Sequence, residues 1–179
     1  KINWKKREQE LQDIADRAKC RAKGAYDAVI GVSGGKDSTF QAFYAKEILG
    51  LRVLCVNSEP ADITPIGMHN IENLKNHGFE VISINPNRKL TERLMRHDFL
   101  KYGNPIKCTE YALYASAYII ANKFNIPLII QGENAALTLG VSKNQDKGGS
   151  CLNITQTNTL KENPLEEYIF DDITEKDLY

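Results

Sequence analysis

Apolar residues gather in four short runs: Tyr26 to Val32, Arg52 to Asn57, Phe79 to Ile84 and Pro127 to Gln131. The first two are nearly continuous rather than alternating, the pattern of strands buried on both faces of a parallel sheet. The stretches between them repeat at helical spacing. Residues 3 to about 22 place Trp4, Leu11, Ile14, Ala15 and Ala18 roughly on one face, and Gly24 ends that helix. Thr39 to Leu49 predicts a helix closed by Gly50, and Ile66 to His77 one ended by Gly78. A polar loop with two prolines, Ser58 to Pro65, lies between the second strand and that helix.

A fourth helix is expected from about Lys89 to Lys101, with Leu90, Leu94 and Leu100 turned inward, before Gly103-Asn104-Pro105 breaks it. Thr109 then caps a long helix, Glu110 to Phe124, whose inward face carries Leu113, Ala117, Ile120, Ala121 and Phe124. From about Asn144 the periodicity weakens, and the acidic end NPLEEYIFDDITEKDLY reads as helical near its close. Alternating strand and helix predicts an α/β fold, an open parallel sheet with helices on both faces. The Rossmann-like strand order 3-2-1-4, with room for a further strand, is the arrangement expected. The chain divides into an N-terminal helix (1–24), an α/β domain (25–143) and a tail (144–179).

Composition narrows the class. With 179 residues and 42% hydrophobic content the chain is long enough for one domain with a real core. Its 23 basic and 23 acidic residues balance, so no general field draws it to nucleic acid or to a membrane. No apolar run reaches the roughly 18 residues of a membrane span. The start, KINWKKREQE, is charged and amphipathic, unlike a secretory signal, and has no initiator Met. Cys20, Cys55, Cys108 and Cys151 form no CxxC pair, which predicts reduced thiols and a cytoplasmic location. No spacing among them and His69, His77 or His97 supports a zinc site.

The chemistry gathers where the first apolar run stops, at Ser33-Gly34-Gly35-Lys36-Asp37-Ser38. A glycine-rich turn from a buried strand into a helix suits a phosphate. The helix start offers unpaired N–H groups and the positive dipole end, and glycines let the backbone approach an anion. Ser33 and Ser38 add hydroxyls and Lys36 a positive charge. The segment fits neither the Walker pattern GxxxxGK[ST] nor GxGxxG.

In an open parallel sheet, ligands bind beyond the carboxyl ends of the strands where the strand order reverses, here between the first and fourth. Gly132-Glu133-Asn134, after the fourth run, is therefore expected to face the glycine turn. Glu133 is a candidate metal ligand or substrate-orienting group, and Asn134 a candidate substrate contact. Backbone groups of Val56 and Asn57, near the end of the second run, are candidates to border a nucleoside. Lys107, Thr109 and Glu110 are candidates for an acceptor-substrate site, with Thr109 equally readable as a plain helix cap. Cys108 is readable as a sulfur carrier or as an inert thiol.

The turn resembles SGGxDS, the pyrophosphate-binding loop of the PP-loop ATP pyrophosphatases. That resemblance implies an adenine nucleotide alpha-hydrolase-like fold, with ATP and Mg2+ as cofactors, cleaved to AMP and pyrophosphate. Ser33 to Ser38 would hold the phosphates together with Gly132, and Lys36, Asp37 and Glu133 would be catalytic. Asp37 would hold the metal, with Glu133, or brace the loop. Over roughly Trp4 to Lys143 the chain is similar to the N-acetyl sugar amidotransferases of surface-polysaccharide and flagellin-glycan biosynthesis. VSGGKDSTFQAFYAKEILGL, HNIENLKNHGF, GNPIKCTEYALYASAYIIANKFNIPLIIQGEN and AALTLG carry that likeness. It implies that an acetamido oxygen of an N-acetylated sugar is adenylated and replaced by nitrogen, giving an acetamidino sugar. Ammonia would come from a separate glutaminase subunit. Members usually carry a cysteine-rich segment before the first helix, which this sequence lacks. A tRNA-thiolating or nucleobase-modifying PP-loop enzyme shares the loop, but paired cysteines and a basic face are not evident. A nucleotide-binding module of the universal-stress type would need neither Lys36 nor Glu133 for chemistry.

Overall fold

A computed structural model describes residues 2–60, 62–132 and 165–178. The elements run α1 (Trp4–Arg21), β1 (Ala28–Gly31), α2 (Lys36–Phe43), β2 (Val53–Ser58), α3 (Pro65–Asn76), β3 (Glu80–Ile84), α4 (Arg88–Tyr102), α5 (Lys107–Lys123) and β4 (Leu128–Ile130). The four strands are all parallel, in the order β3-β2-β1-β4. This is the expected sheet. In register, Ala28 faces Val53 on one side and Leu128 on the other.

The chain forms two compact units. The first holds residues 1–86 and 112–132, and the second 87–111 and 133–179, so α5 begins in one and continues in the other. In the first unit, alternate strand residues serve opposite faces of the sheet. Ala28, Ile30, Val53 and Cys55 pack with Ala15 and Ala18 of α1, Ala42 of α2, and Ile71 and Leu74 of α3. Val29, Leu54 and Val56 pack with Ala117 and Ala121 of α5. Helices therefore cover both faces, as the unbroken apolar runs require.

Helix starts and faces differ from the sequence expectation in several places. Helix α2 starts at Lys36 rather than Thr39, so Lys36, Asp37 and Ser38 form its first turn. Asp37 suits that position because a carboxylate there meets the positive end of the helix dipole. Helix α2 then widens into a π turn at Tyr44–Ile48, where Lys46 reaches the Gly78 carbonyl at 2.8 Å. Helix α5 starts at Lys107, so Thr109 lies inside it and its hydroxyl donates to the Ile106 carbonyl at 2.7 Å. Thr109 is therefore no N-cap. Leu113 of that helix and Phe124 just past its end are exposed, and Tyr114 is buried alongside Ala117 and Ala121.

The expected inward face of α4 also differs. Leu100 is exposed, while Asp98 is fully buried. Its Oδ2 accepts the Cys108 N–H at 2.7 Å and the Tyr168 hydroxyl at 3.2 Å. Those partners lie in the same unit, and they explain why a carboxylate occupies a core position. His97 stacks on Phe170 with ring centroids 4.7 Å apart, and Lys101 pairs with Glu167 at 2.9 Å. The acidic end forms two short 3-10 turns, Leu165–Tyr168 and Glu175–Asp177, in place of a longer helix. Of the expected α1 face, Trp4, Leu11 and Ile14 are exposed, and Ala15 and Ala18 are its buried residues.

At the amino ends of β1 and β2, buried Asp27 accepts three hydrogen bonds from Arg52: from its backbone N–H at 2.8 Å, Nε at 3.1 Å and a terminal guanidinium nitrogen at 2.7 Å. These bonds, the side-chain ones foremost, hold the Asp27 carboxyl below the usual carboxylate range against the opposing effect of burial. The pin lies at the opposite end of the sheet from the glycine turn, so it fixes strand register rather than chemistry. No described helix is long and apolar enough to cross a membrane.

Candidate functional site

The glycine turn leaves β1 through Val32, whose N–H donates to the Val56 carbonyl at 2.8 Å. This last sheet-like bond fixes the direction in which Ser33 enters the turn. Gly34 has φ +76°, a left-handed conformation that a side chain resists. A Cβ there would lie 3.0 Å from Asn70 Cβ and 3.3 Å from the Gly67 carbonyl. Glycine is thus required twice at this position, by its dihedral and by the closeness of α3. Gly35 is the N-cap of α2 in extended conformation and contributes no side-chain cap.

The first N–H to find a helical carbonyl is that of Thr39, which donates to Gly35 at 3.1 Å. The N–H groups of Lys36, Asp37 and Ser38 precede it and have no intrahelical acceptor. The serines shape the turn from within. Ser38, 7% exposed, accepts the Ser33 N–H and donates to the Gly35 carbonyl, both at 3.3 Å. Ser33 Oγ accepts the Gly35 N–H at 3.4 Å. These distances are at the long edge of hydrogen bonding, so the bonds exchange easily for shorter ones to an anion.

Lys36 Nζ lies 2.7 and 2.9 Å from the two Asp37 oxygens. Their side chains are 87% and 73% exposed, so the pair contributes at most about 1 kcal/mol. Both groups are therefore free to re-pair with a phosphate or a cation. Mg2+ commonly takes one or two carboxylates and completes its shell with water and phosphate oxygens. A single exposed carboxylate beside the glycine turn fits that habit, although no cluster of three or more ligating side chains occurs among the described residues.

The end of β4 comes to the same place. A Cβ on Gly132 would lie 3.5 Å from Gln41 Oε1 and 3.8 Å from Ser38 Cβ. Gly132 thus stands beside the first turns of α2, as expected from the reversal of strand order. Gln41 Oε1 is buried there with no hydrogen-bond partner among the described residues. Glu133 and Asn134 lie outside the described residues, as do Cys151 and the AALTLG passage.

Val56 and Asn57 are 1% and 3% exposed and lie within β2, which continues to Ser58. The Val56 carbonyl is the one that holds Val32. Lys107, Thr109 and Glu110 form the first turn of α5, in the second unit. Lys107 Nζ lies 3.9 Å from the centroid of the Tyr102 ring. Cys108 is buried, and burial with the neighbouring Asp98 charge pushes its thiol up to about 12. Such a thiol holds almost no thiolate at neutral pH, which counts against a sulfur carrier.

Asn70 and Gln41 received no role from the sequence. Asn70 Nδ2 donates to the Gly34 carbonyl at 2.9 Å. Its partner is a backbone oxygen, and no spacing of residue types signals such a bond. Gln41 follows Ser38 by three positions on a helix, and this is the only sequence feature that places it near the turn.

No family model and no curated protein matches the chain. Solved structures do. The chain is similar to the NH3-dependent NAD synthetase of Campylobacter jejuni, with a TM-score of 0.54 at 19% identity over 79% of this chain and 62% of that one. It spans less than two thirds of that protein's length. It is also similar to a predicted subunit of tRNA methyltransferase from Methanocaldococcus jannaschii, with a TM-score of 0.46 at 22% identity, over 84% and 71% of the two chains. The NAD synthetase match, with the observed strand order, defines the fold: a parallel, NAD-synthetase-like α/β sheet.

Proposed function

We propose that the chain is an ATP-using enzyme that cleaves the nucleotide between its α and β phosphates. One observation carries the reading. The sequence SGGKDS occupies the turn from a buried parallel strand into a helix, with Gly34 left-handed and the α2 donors facing the point where strand order reverses. That turn has no structural need for two exposed charges.

In the proposed reaction the α–β P–O bond breaks and pyrophosphate leaves, carrying the charge that developed on it. The N–H groups of Gly35 to Ser38 stabilise that charge from fixed positions, and the hydroxyl of Ser33 and the re-pairing ammonium of Lys36 add to them. Mg2+, when bound, would further neutralise the phosphates; Asp37 would hold it, with Glu133 a further ligand. Ser33, Gly34, Gly35 and Gly132 would border the phosphates, and the backbone of Val56 and Asn57 the nucleoside.

The finer reading rests on the sequence resemblance. The acetamido oxygen of an N-acetylated sugar attacks the α phosphorus, forming an O–P bond to AMP. Ammonia then attacks the activated carbon, a C–N bond forms, and AMP departs with the oxygen. The product is an acetamidino sugar. Lys107, Thr109, Glu110 and Asn134 are the proposed sugar contacts. A separate glutaminase would supply ammonia, and an NH3-dependent synthetase with the same fold fits ammonia as the nitrogen source. The test is product analysis with purified protein, ATP, Mg2+, ammonium and a panel of N-acetylated nucleotide sugars. AMP and pyrophosphate are expected only when sugar and ammonium are both present. AMP formation driven by tRNA instead would overturn the sugar assignment while leaving ATP cleavage in place.

A further inference from the structure

We infer that Asn70 of α3 is a positioning residue that sets the direction in which the glycine turn presents its donors; this rests on the reading of Ser33 to Ser38 as a pyrophosphate loop. The Asn70 amide donates to the Gly34 carbonyl at 2.9 Å across 36 residues of chain. A trans peptide is planar, and its C=O and N–H point in opposite directions. Holding the Gly34 carbonyl toward α3 therefore aims the Gly35 N–H away from α3. Among the described residues, that N–H has only the 3.4 Å contact with Ser33 Oγ to give up.

Without the amide, little else holds this peptide. Glycine lacks the Cβ that restricts rotation, and Gly34 and Gly35 are adjacent. A peptide turned over would direct the Gly34 oxygen, not the Gly35 N–H, toward an incoming phosphate. Such an exchange replaces attraction by repulsion at one of the turn's few donors. The support behind Asn70 is firm. Ile71 and Leu74, on the same helix, are 4% and 1% exposed and pack into the core under the sheet. Thr64 caps the helix by accepting the Gly67 N–H at 3.1 Å, and Pro65 starts its first turn. The Gly67 carbonyl and Ile71 Cδ1 flank Gly34 at 3.3 and 3.6 Å from its would-be Cβ, so α3 meets the turn over a full helical turn.

The experiment compares Asn70→Ala and Asn70→Asp in the full chain with the wild type. Asn70→Asp keeps the shape but replaces the donor by an acceptor facing the Gly34 oxygen. Backbone amide resonances of Gly34 and Gly35 are expected to shift in both unliganded variants. Affinity for ATP and for inorganic pyrophosphate is expected to fall about tenfold in Asn70→Ala and further in Asn70→Asp, with adenosine affinity unchanged. Unmoved Gly34 and Gly35 resonances, or undiminished pyrophosphate binding, would overturn the inference. A parallel loss of adenosine binding would also overturn it, because Asn70 would then serve the fold alone. A wild type that binds neither ATP nor pyrophosphate would instead overturn the loop reading on which the inference rests, and the glycine resonances would still report whether the brace exists.

Discussion

Replacing Gly34 by alanine separates the loop's conformation from the stability of the sheet. Two costs arise if the loop keeps its shape. A left-handed φ of +76° costs an L-residue roughly 1–2 kcal/mol. The added Cβ would lie 3.0 Å from Asn70 Cβ and 3.3 Å from a backbone carbonyl, and relieving that crowding costs about 1–2 kcal/mol more. The total is about 2–4 kcal/mol. The unliganded protein has a cheaper course, which is to let the turn move and lose the Asn70 bond, at about 1–2 kcal/mol. The smaller cost appears in a thermal melt as a fall of about 2–8 °C.

The difference, again about 1–2 kcal/mol, appears only when phosphate requires the original shape. It should weaken ATP binding about 5- to 30-fold, measured by calorimetry. Gly31→Ala is the control. A Cβ on Gly31, three residues earlier in β1, would meet nothing within 4 Å, so both melt and affinity should stay near wild type. Wild-type ATP affinity in Gly34→Ala would refute the reasoning, as would equal damage from Gly31→Ala.

Three further outcomes follow from the same structure. Lys36→Ala should lower the rate of ATP cleavage by about 100-fold or more with an unchanged melting temperature, since its side chain is 87% exposed and its described ion pair is with its neighbour Asp37. Activity at the wild-type rate would remove Lys36 from the chemistry. Asp27→Ala should cost about 1–3 kcal/mol by stranding the Arg52 backbone N–H, and denaturant titration measures it. Because the folded Asp27 carboxyl lies below its unfolded value, the wild type keeps this contribution above the usual carboxylate range and loses it as pH falls through the folded value. The Ala variant should therefore show a shallower acid loss of stability, and parallel curves would contradict the pin. Burial holds the Cys55 thiol at about 12, as it does Cys108, while Cys20 is exposed. Alkylation of the native protein near pH 8, followed by mass spectrometry, should thus label Cys20 well before those two; rapid labelling of Cys108 would reopen a chemical role for it.

The sheet was legible because a doubly covered strand must be apolar at every position. The runs beginning at Tyr26 and Arg52 had no other plausible use. Helix starts were less legible. Lys36 and Asp37 carry no apolar period, yet the first helical turn needs none, and Asp37 is favoured there by the dipole. Asp98 defeated the apolar pattern of α4 because its partners, the Cys108 N–H and the Tyr168 hydroxyl, are 10 and 70 residues away. No local reading of a helix reveals that such a carboxylate will find two donors for one of its oxygens. The candidate site divides in the same way. Its glycines, serines and lysine form a contiguous word, whereas Asn70 reaches the turn through a backbone oxygen 36 residues away, which tertiary packing alone brings into place.

Phosphorus NMR of the products, with full-length protein, ATP, Mg2+, ammonium and an N-acetylated nucleotide sugar, tests the central claim most directly. The loop assignment predicts AMP and pyrophosphate in equal amounts, and their loss in Lys36→Ala. Release of ADP and orthophosphate would contradict it, because the bond cut would then be the terminal one and Ser33 to Ser38 would not be holding a leaving pyrophosphate.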